Sequence, residues 1–330
     1  MRSLPRRALI ALAAGLAMPR WVRGQATQRF HRLGWLSATE LQHREPYGLA
    51  FVQRLRELGF VNGANLTIEY RHAAGTFEKL PSAAAELARL NVDILFSAGP
   101  EASLAALQQI GADKPIVFVA VDFDPIATGH LVNPARPGGR LTGVTAVQSL
   151  LPGKRLELVK ELLPATRKVA VLGNDQTTGQ LAVAEEAAKR LALELHVIHF
   201  KRPPFDYESA VAEAVRAKSE VLFVLGSALF TLPTRRLIPE LALKARLPSV
   251  FHHAQWAEAG GLMSYGFNFP HLWRSAADMV GKILRGAKAG EIPMEQPTTY
   301  ELAINARTAK ALGIRIPESI RVRVDRVIDH

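Results

Sequence analysis

The chain contains no cysteine. That absence removes disulfides, thiolate metal sites, a cysteine nucleophile and a lipid-modified N-terminal cysteine. Beyond the N-terminal segment, no stretch approaches the about 18 consecutive apolar residues that a membrane-spanning helix needs. The mature protein is therefore expected to be soluble. Nucleotide-binding motifs are missing as well. The turn after the first strand reads Leu36-Ser37-Ala38-Thr39, without the GxGxxG that lets a backbone approach pyrophosphate. The nearest approach to a phosphate loop, Pro152-Gly153-Lys154-Arg155, lacks the first glycine and the hydroxyl. No GxSxG elbow and no HExxH occur. His252-His253 reads as a loop edge rather than a metal pair, because neighbouring strand residues point to opposite faces. Nothing here demands catalysis, and no cofactor or metal is expected.

What is present is ordinary in bulk. With 330 residues there is room for two domains, each with its own core. A hydrophobic content of 48% against 22% charged places the chain among globular proteins rather than disordered ones. The formal net charge of +11 invites a nucleic-acid reading. However, Arg2, Arg6, Arg7, Arg20 and Arg23 lie in a segment without acids and supply nearly half of that surplus. The remaining basic residues are scattered pairs, such as Lys154-Arg155 and Arg235-Arg236, without interleaved aromatics, so no nucleic-acid partner is expected.

Residues 1–26 read as a signal peptide. A basic Arg6-Arg7 precedes the apolar stretch Ala8 to Met18, and Pro19 breaks it before the small residues Gly24 and Ala26. The apolar stretch suits an export signal and is too short to span a bilayer. Cleavage after Gly24 or after Ala26, and export by the general or the twin-arginine route, both remain open. The expected location is the periplasm.

Along the rest of the chain, strand and helix patterns alternate. Strands are expected at Arg32–Leu36, Leu66–Tyr70, Val92–Phe96, Ile116–Val121 and Leu141–Thr145, with helices over Tyr47–Leu58, Phe77–Leu90 and Ala102–Ile110 between them. The rhythm resumes with strands at Lys168–Leu172, Glu194–His199, Val221–Leu225, Ser249–Phe251, Gly261–Tyr265 and Thr299–Ile304, separated by helices that include a long one over His271–Arg285. Such alternation with short loops predicts parallel βαβ units, and hence an α/β protein of two doubly wound parallel-sheet lobes.

The stretch Pro115 to Thr145 organises the rest. Ile116 to Val121 is an unbroken apolar run suited to a strand buried on both faces. It stops at Asp122-Phe123-Asp124-Pro125, at the carboxyl end of the strand, where ligands of open α/β sheets bind. Small and hydroxyl residues recur at equivalent turns: Ser37 and Thr39, Ser97 and Gly99, Asn174 and Thr177, and Gly226 with Ser227. Helix N-termini there suit a carboxylate, although the same residue types also serve as N-caps. Asp122, Asp124 and Asn268 are candidates for an ammonium group or ligand hydroxyls. Trp35, Phe123, Tyr265 and Phe267 are candidates for an apolar or aromatic part. Together they would suit a zwitterionic amino acid or a related small carboxylate.

The run PIVF followed by Asp124-Pro125, Pro137-Gly138-Gly139 and Thr142-Gly143 resembles the ABC-transporter substrate-binding proteins of the TrpX-like type. The likeness continues in Gly260 to Gly266, in Pro297-Thr298 and Ile304-Asn305, and in Ala309-Lys310-Ala311-Leu312-Gly313, so it spans roughly Arg32 to Asp329. This resemblance implies a type I periplasmic-binding-protein fold, with one lobe at 27–145 plus 266–293 and the other at 146–265 plus 294–330. It also implies ligand capture in the cleft, hinge closure and delivery to a membrane permease whose ATPase is a separate chain. A monomer is the expected state for a cleft that must open and close. Some family members bind aromatic amino acids. Phe123 departs from the small residue that usually precedes the Asp-Pro pair, and it could reshape the pocket. A receptor feeding a sensor, or a secreted α/β hydrolase or isomerase using Asp122 or Asp124, are the alternative readings.

Overall fold

The computed structural model describes residues 29–40, 42–110, 113–121, 123–147, 149, 151–202, 204–227, 230, 232–297 and 300–329. The signal-peptide expectation and Asp122 lie outside these described residues.

The first sheet comes from β1 (His31–Ser37), β2 (Leu66–His72), β3 (Ile94–Gly99), β4 (Ile116–Val121) and β5 (Leu141–Ala146). Its five strands run β2-β1-β3-β4-β5, every pair parallel. Helices α1 (Pro46–Glu57), α2 (Leu80–Arg89) and α3 (Glu101–Gln109) make the crossovers. The alternation of β1 sorts its side chains by face. Leu33 and Trp35 join one buried cluster, while Leu36 joins the other with α2 and α3. β4 is buried almost throughout, as its unbroken apolar run requires.

The second half opens with α4 (Leu151–Leu162), β6 (Lys168–Asn174), α5 (Thr178–Arg190), β7 (Glu194–Phe200), α6 (Tyr207–Arg216) and β8 (Val221–Val224). It continues with α7 (Leu232–Lys244), β9 (Ser249–Phe251), α8 (Ala254–Glu258), β10 (Met263–Phe267) and α9 (Phe269–Leu284). β11 (Tyr300–Asn305), α10 (Ala306–Leu312), α11 (Glu318–Arg321) and β12 (Arg326–Ile328) complete the chain. The seven strands run β12-β11-β10-β9-β8-β6-β7. All pairs are parallel except β10 with β11, because the chain returns to this sheet from the opposite end after α9.

That excursion matters for the site. α9 follows a strand of the second sheet but packs into the core of the first, where Trp273, Ala276, Met279 and Val280 meet Trp35, Phe51 and Phe96. Ion pairs Arg54–Asp278 at 2.8 Å and Arg274–Glu57 at 2.6 Å fasten it to α1. The returning segment then borders β5: Glu295 N donates to the Gly143 carbonyl at 2.9 Å, and Thr145 N to the Glu295 carbonyl at 3.0 Å. The chain thus passes between the sheets three times.

Two boundaries differ from the sequence reading for clear reasons. Ser97 to Gly99 belong to β3 rather than to its exit loop, because β4 offers them ladder partners through Ala120. The helix expected from Phe77 begins as a tight turn, Phe77–Lys79, before α2 takes over at Leu80 with Pro81 in its first turn. Among the described residues no helix is long and apolar enough to cross a membrane.

Candidate functional site

The carboxyl ends of the strands in the two sheets face one another across a cleft. The first sheet contributes Ala38 and Thr39 after β1, Gly99 at the end of β3 and Val121 at the end of β4. The second contributes Ser227 beyond β8, then His252 and His253 after β9, with Phe230 beside them. Gln42, Glu45 and Tyr47 enter from the turn into α1, and Phe269 and Trp273 from the first turns of α9. The cleft is nearly closed, leaving about 60 Å³ of free space.

One wall is aromatic. The Tyr47 ring lies 4.9 Å from Trp273 and 6.0 Å from Phe269 between centroids. Burial, reinforced by the neighbouring Glu45 carboxylate, pushes the Tyr47 phenol far above its ordinary range, so it stays a neutral donor. Trp273 is buried, and its indole N–H has no hydrogen-bond partner among the described residues.

The polar end carries one pair of opposite charges. Arg235 Nη1 of α7 donates to Glu45 Oε2 at 2.6 Å, with side chains only 13% and 6% exposed. Next to it are two buried imidazoles whose rings meet edge to face at 4.4 Å. His253 Nε2 accepts from the Trp256 indole at 3.2 Å, which leaves the ring proton on Nδ1. Neither His253 Nδ1 nor His252 Nδ1 has a hydrogen-bond partner among the described residues. Burial holds the His253 pKa down to about 3, and the positive Arg235 lowers it further against a weaker opposing contact from Gln255. Burial, then His253 and Arg155, keeps His252 well below its ordinary value too. Both rings are therefore neutral at physiological pH, so Glu45 and Arg235 supply the formal charge.

The residues singled out from the sequence divide by position. Thr39, Gly99 and Ser227 line the cleft. Ser37 lies behind Thr39, its hydroxyl donating to the Thr39 carbonyl at 2.7 Å, and Ser97 is buried within β3. Asn174 Nδ2 donates to the Ser227 hydroxyl at 2.7 Å while its Oδ1 caps the turn Asp175–Thr177. Gly226 is bracketed by Gln180, donating to its Oε1 at 3.0 Å and accepting from its Nε2 at 2.7 Å. These contacts support the lip rather than form it.

The remaining candidates lie elsewhere. Trp35 is fully buried in the first core, 4.9 Å from Phe96 and 5.1 Å from Phe51, because its strand position faces α1 and α9. Its indole instead holds Gln42, whose Nε2 donates to the Ala98 carbonyl at 3.1 Å. Phe123 packs in the opposite face of the first lobe, near His130. Asp124 is exposed and closes a turn by accepting from Ile126 N at 2.9 Å. Asn268 caps α9, accepting from His271 N at 3.0 Å. Tyr265 stacks on Tyr300 at 5.7 Å, beside Phe267, which also packs against Tyr300. The carboxylate that lines the cleft among the described residues is Glu45; His252 and His253 lie in the irregular segment after β9, as a loop edge requires, but are buried. After the three-residue β9 they are irregular, so strand alternation does not separate them.

Comparison with known proteins agrees with this architecture. A curated relative, the tyrosine-binding protein of Clostridioides difficile strain R20291, is 25% identical over 271 residues, covering 80% of this chain and 76% of that protein. Among solved structures, a conserved domain protein from Vibrio cholerae superposes with a TM-score of 0.78 at 24% identity over 91% of this chain and all of that one. An ABC domain from Streptococcus pneumoniae in complex with L-Trp gives 0.76 at 20% identity, over 91% of this chain and all of that one. The expected type I periplasmic-binding-protein fold is the one the chain adopts. The family model for the ABC transporter substrate binding protein matches residues 48–328. The chain belongs to the family of ABC transporter substrate-binding proteins.

Proposed function

We propose that this chain is the exported receptor of an ABC uptake transporter, and that it closes around a single aromatic amino acid. The observation that carries this reading is the cleft itself. Aromatic rings of Tyr47, Phe269 and Trp273 line it together with two neutral histidines, His253 lying 5.0 Å from Phe269, and with Glu45, which is paired to the buried Arg235. A flat apolar side chain suits the rings, and a zwitterionic head suits the charged pair. The tyrosine-binding relative and the L-Trp-bound neighbour lend the reading independent support.

In this reading residues 1–26 direct export to the periplasm, and the mature monomer delivers its ligand to a permease powered by a separate ATPase. No chemistry is performed on the ligand. The lobes are 29–146 with the α9 segment, and the remainder. Because β10 keeps Gly266 and Phe267 in the second sheet, the division falls at Asn268. Closure is favoured because a ligand touching both lobes binds the closed state more tightly than the open one.

The test is a thermal-shift screen of residues 27–330, stripped of bound ligand by unfolding and refolding, against amino acids, small carboxylates and nucleosides. An aromatic amino acid at 100 times its dissociation constant stabilises by about 2.7 kcal/mol. Absence of any shift with L-tyrosine, L-tryptophan and L-phenylalanine overturns the reading.

A further inference from the structure

Glu45 and Arg235 come from opposite lobes and are separated by 190 positions in sequence, yet they meet at 2.6 Å. Glu45 sits just before α1, where Pro46 opens the helix. Arg235 lies in the first turns of α7. Drawing the lobes apart would separate the pair and expose both ions to water. On closing, each buried charge needs a counter-ion, because a buried charge left alone is costly. The neighbouring imidazoles cannot serve, since burial keeps both neutral.

We infer that Glu45 and Arg235 are the two anchors for the head of the ligand, Glu45 taking the α-ammonium and Arg235 the α-carboxylate. In the ligand-free closed form they occupy each other. This assignment rests on the proposed amino-acid reading and adds to it a rule for ligand class. An amine alone replaces only the cation that Glu45 held and leaves Arg235 without its carboxylate; a carboxylic acid alone replaces only the anion that Arg235 held and removes the Arg235 contact from Glu45. Only a ligand bearing both charges replaces both halves of the pair when it enters. The Tyr47, Phe269 and Trp273 rings then receive its side chain. The neutral imidazoles have Nδ1 positions with no partner among the described residues and add hydrogen-bonding capacity without charge.

The handedness of the ligand follows from the same geometry. With the side chain fixed against the aromatic wall, exchanging the ammonium and carboxylate positions about Cα converts the L form into the D form. The order of Glu45 and Arg235 across the cleft thus reads chirality.

The experiment is titration calorimetry of the mature protein with L-tyrosine, D-tyrosine, tyramine and 3-(4-hydroxyphenyl)propionate. Wild type is expected to bind L-tyrosine about 30-fold or more tightly than either analogue lacking one charge. In Glu45→Gln the penalty for the missing ammonium should vanish, so L-tyrosine and the propionate bind with similar affinity. In Arg235→Gln the penalty for the missing carboxylate should vanish, so L-tyrosine and tyramine bind alike. The double exchange, Glu45→Arg with Arg235→Glu, preserves an interlobe ion pair and should shift preference from L- towards D-tyrosine. Melting of each unliganded variant checks that it is folded. Affinities that fall while the analogue ratios stay as in wild type identify a mere interlobe clamp and overturn the assignment. So does a wild type that binds tyramine as tightly as L-tyrosine, an outcome that needs no variant. Failure of wild type to bind L-tyrosine, L-tryptophan and L-phenylalanine sinks the amino-acid reading itself, a result distinct from unchanged ratios.

Discussion

A Cβ on Gly266 would lie 1.8 Å from the carbonyl oxygen of His252. This contact sets how closely β10 approaches the loop that carries both cleft histidines. Gly266→Ala must push that loop aside, and overpacking of this kind costs about 1–3 kcal/mol or more. The expected result is a lower melting temperature together with weakened ligand binding, read by thermal melts and calorimetry. Unchanged melting and binding would contradict the role assigned to this contact.

Acid should destabilise the fold through the histidines. An ordinary imidazole takes up a proton near pH 6.5, whereas His253 in the fold does so only at about 3. Between those values the unfolded chain binds the proton and the folded one does not. The contribution is therefore complete above pH 6.5 and is lost as pH falls towards 3, by up to about 1.4 kcal/mol per pH unit for this residue. His252 works in the same direction. Denaturant melts across this range should show a shallower slope for His253→Gln than for wild type.

Asn174 is a support for the cleft lip. Replacement by alanine removes its cap on the turn Asp175–Thr177 and its bond to the Ser227 hydroxyl. Loss of such a cap costs about 1–2 kcal/mol, which corresponds to a drop of about 2–4 °C or more in melting temperature. The drop should appear without any ligand. A variant that melts like wild type and only binds worse would make Asn174 a ligand contact instead.

Trp273→Phe keeps an aromatic ring in the wall and deletes the unpartnered indole N–H. Removing a donor that a ligand oxygen occupies is expected to weaken binding about five- to tenfold. Calorimetry on the folded variant gives this number directly. Equal affinity would show that the indole nitrogen takes no part in binding.

The architecture was legible because burial leaves a strong imprint on strands. Ile116 to Val121 reads as a two-faced buried strand and is one, and the turn residues Thr39, Gly99 and Ser227 do reach the cleft. The decisive side chains were hidden by their ordinariness. Glu45 looks like any surface acid ahead of a proline, and Arg235-Arg236 like any solvated basic pair. Only tertiary structure brings residues 190 apart together. Trp35 misled in the opposite sense: its position at the end of a strand suggested the ligand, but the α9 helix, arriving far later in the chain, covers it. The three-residue β9 is too short to announce that its exit carries two buried imidazoles.

The path of α9 also dictates an order of events during biosynthesis. Strands β1 to β5 are complete by Ala146, yet the face on which α1 packs is only partly covered until Phe269–Leu284 has been made. A nascent chain stopped between those points exposes Trp35, Phe51 and Phe96, the kind of surface on which chaperones act and aggregates grow. The N-terminal half therefore cannot mature ahead of the C-terminal half. The core of the first sheet is completed only late in synthesis, once α9 has been made.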